Sequence, residues 1–152
     1  MKKSVSILMG SKSDLEIMQK AETLLLSFGV ECDLHIASAH RTPDKVHKIA
    51  QDVEENSDVV IAGAGMAAHL PGVMASLVNK PVIGVPIKSS LDGMDALLAI
   101  VQMPPGIPVA TVAINGAKNA AILAIQIMAL KNEALNEKYK QYRTDLKSGA
   151  KP

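Results

Sequence analysis

Apolar residues recur along this chain in short β-branched runs separated by longer stretches with helical spacing. Strands are expected over residues 5–9, 33–36, 59–62, 82–85 and 109–113. The second belongs to a segment, 31–36, that alternates polar and apolar residues. The later runs are apolar throughout, as in a parallel sheet covered on both faces. Helical faces lie between them. Ile17, Ala21, Leu24, Leu25 and Phe28 share one side of the first helix, which opens with Ser13-x-x-Glu16 as a capping box and closes at Gly29. Val46, Ile49, Ala50 and Val53 share a side of the second, with Thr42 as a hydroxyl N-cap and Pro43 at the first helical position. Further helices are expected around 67–78, 92–102 and 118–130. Strand and helix thus alternate five times, which predicts a flavodoxin-like three-layer α/β/α sandwich with a central five-stranded parallel sheet.

The end of the chain departs from that rhythm. Residues 120–130 are apolar nearly all round, too short to span a bilayer, and call for burial on every side. Beyond them, 131–147 reads as an extended, charged C-terminal helix with one stripe of Leu135, Tyr139, Tyr142 and Leu146. That stripe suits packing on a neighbouring subunit of a homo-oligomer. An ordinary end helix folded back on its own domain remains the alternative. Residues 148–152 are expected to be disordered.

Length and charge narrow the classes. A chain of 152 residues makes one catalytic-sized domain, 1–152. Net charge is +1 and the basic residues are scattered, so neither nucleic acid nor a membrane is an expected partner. The single cysteine, Cys32, forms no internal disulfide and suits a reducing, cytoplasmic setting. The apolar run after Met1-Lys-Lys ends at Gly10, too soon for a signal peptide's core. No Asp or Glu joins the four histidines at metal-ligand spacing, so no metal is expected.

Three loops that follow predicted strands carry possible chemistry. Gly10-Ser-Lys-Ser-Asp14 offers the Ser11 and Ser13 hydroxyls and a helix start to a phosphate, and the Asp14 carboxylate to ribose hydroxyls. It lacks the spacing of a Walker P-loop, and a plain capped helix start explains it equally well. Ser38-Ala-His-Arg-Thr-Pro43 sets an acid–base imidazole, His40, beside the guanidinium fork of Arg41. Gly63-Ala-Gly-Met-Ala-Ala-His-Leu-Pro-Gly72 matches G-x-G-x-x-A, but lacks the acidic residue that a dinucleotide site wants about 20 positions on. Its small residues suggest backbone brought close to a small ligand, with His69 either in the pocket or structural. A receiver domain shares the topology, yet needs an aspartate where this chain has Ala62-Gly63.

Taken together, Met9-Gly-Ser-Lys-Ser-Asp14, Ser38-Ala-His-Arg-Thr-Pro43, Ala67-Ala-His-Leu-Pro-Gly72, Pro81-Val-Ile-Gly-Val-Pro86 and Ile100-Val-Gln-Met-Pro104 resemble the class I PurE family, the N5-carboxyaminoimidazole ribonucleotide mutases of purine biosynthesis. The resemblance implies an isomerase that uses no cofactor. It would release the substrate's N-carboxylate as trapped carbon dioxide and capture that on the ring carbon, with His40 as general acid and base. It further implies that Ser11, Ser13, Asp14, Ser38 and Arg41 hold the ribonucleotide, that Gly63, Ala68, His69 and Leu70 wall the carboxylate site, and that the chain assembles as an octamer. A sister carboxylase acting on aminoimidazole ribonucleotide and carbon dioxide, or a non-catalytic nucleotide-binding module, are the competing readings. Met66 departs from the family's usual glycine, and 114–119 is shorter than its usual glycine-rich turn; both are expected to reshape the pocket's rim.

Overall fold

A computed structural model describes residues 4–151; the basic start 1–3 and Pro152, the last residue of the expected disordered tail, lie outside the described residues. Five strands, β1 (Val5–Met9), β2 (Cys32–Ile36), β3 (Val59–Gly65), β4 (Val82–Ile87) and β5 (Ala110–Thr111), form one parallel sheet in the order β2-β1-β3-β4-β5. The expected three-layer α/β/α sandwich is therefore present. Alternate residues of each strand feed different cores. Val5, Ile7 and Met9 of β1 join α1 (Leu15–Ser27), α5 (Ala117–Ala129) and α6 (Glu133–Lys147) on one face. Leu8 of β1 and Val60 and Ala62 of β3 join α2 (Pro43–Asn56), α3 (Leu70–Leu77) and α4 (Met94–Val101) on the other. Both faces being covered, β1 and β4 are buried at every position, which is why their runs carry no polar alternation beyond Ser6.

Several boundaries differ from expectation, each for a local reason. β3 continues through Gly63-Ala64-Gly65 because those residues pair with Val85, Pro86 and Ile87 of β4; pairing overrides their weak strand preference. β5 shrinks to two residues, paired only with Ile83 and Gly84. The capping box is Ser11 with Asp14 on a single 3-10 turn, Lys12–Asp14, and not Ser13 with Glu16. Thr42 does not cap α2 with its hydroxyl; Oγ1 accepts from the Ser38 amide at 2.9 Å and donates to the Ser38 carbonyl at 3.1 Å, tying the loop to itself. α1 ends as expected, with Gly29 in the left-handed region at φ +76°.

The helix predicted to be buried all round is not, within one chain. Ala117, Ala120, Ala121, Ala124 and Ile125 of α5 are buried, while Gln126 and Leu130 are exposed. The α6 stripe rests first on its own domain: Leu135 is buried, Tyr142 meets Phe28 edge-on at 5.4 Å, and Gln126 Nε2 donates to the Tyr139 hydroxyl at 2.9 Å. Residues 148–150 close α6 with a turn, the Ala150 amide donating to the Asp145 carbonyl at 3.0 Å. Under the edge strand, Ser6 Oγ donates to Asp33 Oδ1 at 2.7 Å and lies 2.7 Å from Ser57 Oγ. His35 Nε2 stands 2.9 Å from Asp33 Oδ2, close but poorly aligned for a hydrogen bond.

Candidate active site

β1 lies between β2 and β3, so the connections leaving β1 and β3 pass to opposite sides of the sheet and open a crevice at its carboxyl edge. The three chemistry-bearing loops meet there. After β1, the Ser13 amide and hydroxyl donate to Ser11 Oγ at 3.3 and 3.0 Å, and the Ser11 amide donates to Asp14 Oδ2 at 3.1 Å. The first loop is thus both a capped helix start and a row of hydroxyls facing the crevice. Burial pushes the Asp14 carboxyl above its usual range, opposed by the Ser11 amide, Ser13 and the charge of Arg41.

After β2, the Arg41 amide donates to Ser38 Oγ at 3.1 Å, and its guanidinium Nη2 donates to the Gly10 carbonyl at 3.2 Å. This bond stitches the second loop to the first. After β3, the chain turns sharply at Met66, whose φ of +56° lies where a side chain costs about 1–2 kcal/mol. The turn brings His69 across from the second loop. His40 Nε2 and His69 Nδ1 are 2.7 Å apart, with ring centroids at 4.7 Å and planes at 74°.

A cavity of about 500 Å³ joins these loops. Ser11, Ser13, Asp14 and Ser38 line it together with His40, Arg41, His69 and Leu70. Gly63 and Ala68 do not. Gly63 is buried in β3, where any side chain would collide with the Met18 thioether, and Ala68 is buried in the core shared with α2. Their small size serves packing. Ser89 completes the wall and escaped the sequence reading; its only signal was its place just past the end of β4. The 114–119 segment turns the other way, Asn115 donating its amide to the Pro86 carbonyl at 2.8 Å, and none of it lines the cavity.

A larger cavity, about 620 Å³, opens elsewhere, between the Phe28–Val30 turn and the α5–α6 junction. It holds lysines and one aspartate on mostly apolar walls but no imidazole, so size does not select the site. Among the described residues, no group of three or more His, Cys, Asp or Glu is placed to hold a metal, and no helix is long and apolar enough to cross a membrane.

The chain is similar to known proteins over most of its length. A family model described as AIR carboxylase matches residues 4–149. N5-carboxyaminoimidazole ribonucleotide mutase of Pyrococcus abyssi is 57% identical over 145 residues, 94% of this chain and 83% of that protein. A protein of Vigna aconitifolia named phosphoribosylaminoimidazole carboxylase, chloroplastic, is 49% identical over 94% of this chain but only 26% of its own length. The crystal structure of Treponema denticola PurE superposes with a TM-score of 0.88 at 32% identity, covering 97% of this chain and 93% of that one.

Proposed function

We propose, for a chain that belongs to the AIR carboxylase family, that it is an isomerase of purine biosynthesis acting on N5-carboxyaminoimidazole ribonucleotide. It moves the carboxylate from the exocyclic amine to the ring carbon, giving 4-carboxy-5-aminoimidazole ribonucleotide. The observation that carries this reading is the imidazole pair, His40 and His69, set in one cavity with the hydroxyls of Ser11 and Ser13 and the guanidinium of Arg41.

The chemistry follows from those groups. Among the described residues the Arg41 guanidinium has one hydrogen-bond partner, the Gly10 carbonyl, and it can turn its fork to a phosphate, with Ser11 and Ser13 adding hydroxyl donors. Asp14, acceptor-only when ionised, receives ribose hydroxyls, and Ser38 braces Arg41 from behind. The ring is thereby set against His40. Protonated His40 gives its proton to the exocyclic nitrogen as the carbon–nitrogen bond breaks and carbon dioxide leaves. The electron-rich ring carbon then attacks the carbon dioxide, and neutral His40 removes that carbon's proton. The proton inventory closes, so the step calls for no cofactor.

His69 and Leu70 wall the carboxylate. Self-association, as the octamer that the resemblance implies, belongs to the same proposal. An exposed apolar surface available for it is the stripe of Met94, Leu98 and Val101 along α4, with Leu91 on the turn before that helix and Leu130 beyond α5. The cytoplasm is its place, in keeping with the lone Cys32.

The plant relative's name gives one specific ground for a second reading, direct carboxylation of aminoimidazole ribonucleotide. One assay separates the readings. Full-length protein is given the N-carboxylated nucleotide without ATP, metal or added bicarbonate. A mutase forms the carbon-carboxylated isomer; a carboxylase forms it from the decarboxylated nucleotide and carbon dioxide; a binding module forms it from neither.

A further inference from the structure

Carbon dioxide carries no charge, so no ion pair can hold it between its release and its capture. A site keeps it only by enclosing it. The cavity's apolar lining is poor in side chains: alanines and glycines surround two larger groups, Met66 and Leu70. Leu70 is 2% exposed and fixed in the core at the start of α3, so it cannot move over the pocket. Met66 is 58% exposed, on the turn that leads to His69, and its unbranched thioether chain adapts readily to a bound shape.

The backbone gives a second, independent reason to single it out. At φ +56° Met66 occupies a conformation that glycine adopts without strain. Stability therefore argues for glycine. At 58% exposure the Met66 side chain recovers only part of that backbone cost by burial in the free protein.

We propose that Met66 is a specificity-determining residue of this site: its side chain folds over the occupied pocket and retains the released carbon dioxide. The inference rests on the mutase reading. The carbon–nitrogen bond breaks, the amine takes the His40 proton, the new carbon–carbon bond forms, and the ring carbon's proton returns to His40. Met66 takes no part in these transfers. It decides how often the carbon dioxide escapes between them.

The test supplies full-length enzyme with substrate labelled with carbon-13 in its carboxylate, in buffer holding unlabelled bicarbonate and carbonic anhydrase. Product label and the decarboxylated nucleotide are then counted, with an enzyme-free control subtracted. Wild type and Met66→Leu should retain nearly all label. Met66→Gly and Met66→Ala should each release the decarboxylated nucleotide several-fold more often per turnover. Alanine keeps the strained backbone while removing the cover, so agreement between the two assigns the effect to the side chain. Met66→Gly should also melt at the same temperature as wild type or higher. Label retention unchanged in both small variants overturns the proposal. So does a lowered melting temperature of Met66→Gly with retention intact, which would make Met66 a structural contact, for instance against a second copy. Wild type that fails to convert the substrate would sink the mutase reading itself, a result distinct from either.

Discussion

His40 and His69, 29 residues apart in sequence, approach to 2.7 Å between Nε2 and Nδ1. At that distance one ring donates and the other accepts, and both residues line the cavity. A ligand that hydrogen-bonds to His40 Nε2 would have to displace this contact, so on the proposed role of His40 opening the pair is part of binding.

Replacing His40 by Asn removes the proposed proton carrier while leaving a polar side chain of similar reach. Nucleotide affinity should stay within a few fold, and turnover should fall by roughly a hundredfold to ten-thousandfold. Paired titration and steady-state kinetics check both halves. Turnover that survives would move the base to His69.

Arg41→Ala takes away the one guanidinium in the cavity. Charge-assisted hydrogen bonds are worth about 1.5–3 kcal/mol, so nucleotide affinity should drop roughly ten- to hundredfold. Isothermal titration measures it, and unchanged affinity would relocate the phosphate.

Asp33 contributes to acid stability. Burial raises its carboxyl, but the His35 ring and the Ser6 hydroxyl outweigh that and hold it below the usual carboxylate range. A lowered folded value stabilises above the unfolded carboxyl's range, and that stability is lost as pH falls through the folded value. Asp33→Asn should be less stable than wild type by about 1–2 kcal/mol at neutral pH. The gap should close in strong acid. Denaturant melts at several pH values would reveal parallel curves if the interaction contributes nothing.

Leu98→Glu places a charge in the middle of the α4 stripe, at a side chain already 50% exposed. The isolated fold should lose no more than about 0.5 kcal/mol. Sedimentation velocity should nevertheless show a smaller species than wild type. Equal sedimentation of the two would remove α4 from any subunit interface.

Periodicity revealed the fold because both faces of the sheet are covered, and a two-sided strand writes itself as an unbroken apolar run. The bounds of β1 were legible to the residue, as was the end of α6 at Lys147, whereas its start lies two residues later than expected. Site membership was less so. Ser11, His40, Arg41 and His69 announced themselves by chemistry, whereas Gly63 and Ala68 belong to a suggestive motif but pack away from the cavity. A loop's backbone decides which way each side chain turns, and no hydrophobic pattern records that. Ser89 is the converse case, an ordinary serine made relevant only by where β4 stops. The α6 stripe was visible as a stripe, yet nothing in its spacing specified that Phe28 would meet it.

The strand order has a consequence for how the chain is made. β2 is laid against one side of β1, β3 against the other, then β4 against β3 and β5 against β4. Each new strand adds to an open edge, and none must wedge between two that have already paired. A nascent chain can build this sheet in the order in which it leaves the ribosome. By Leu77, the end of α3, every loop of the cavity except the one bearing Ser89 has been synthesised. The second half of the chain chiefly supplies the cover that makes the first half stable.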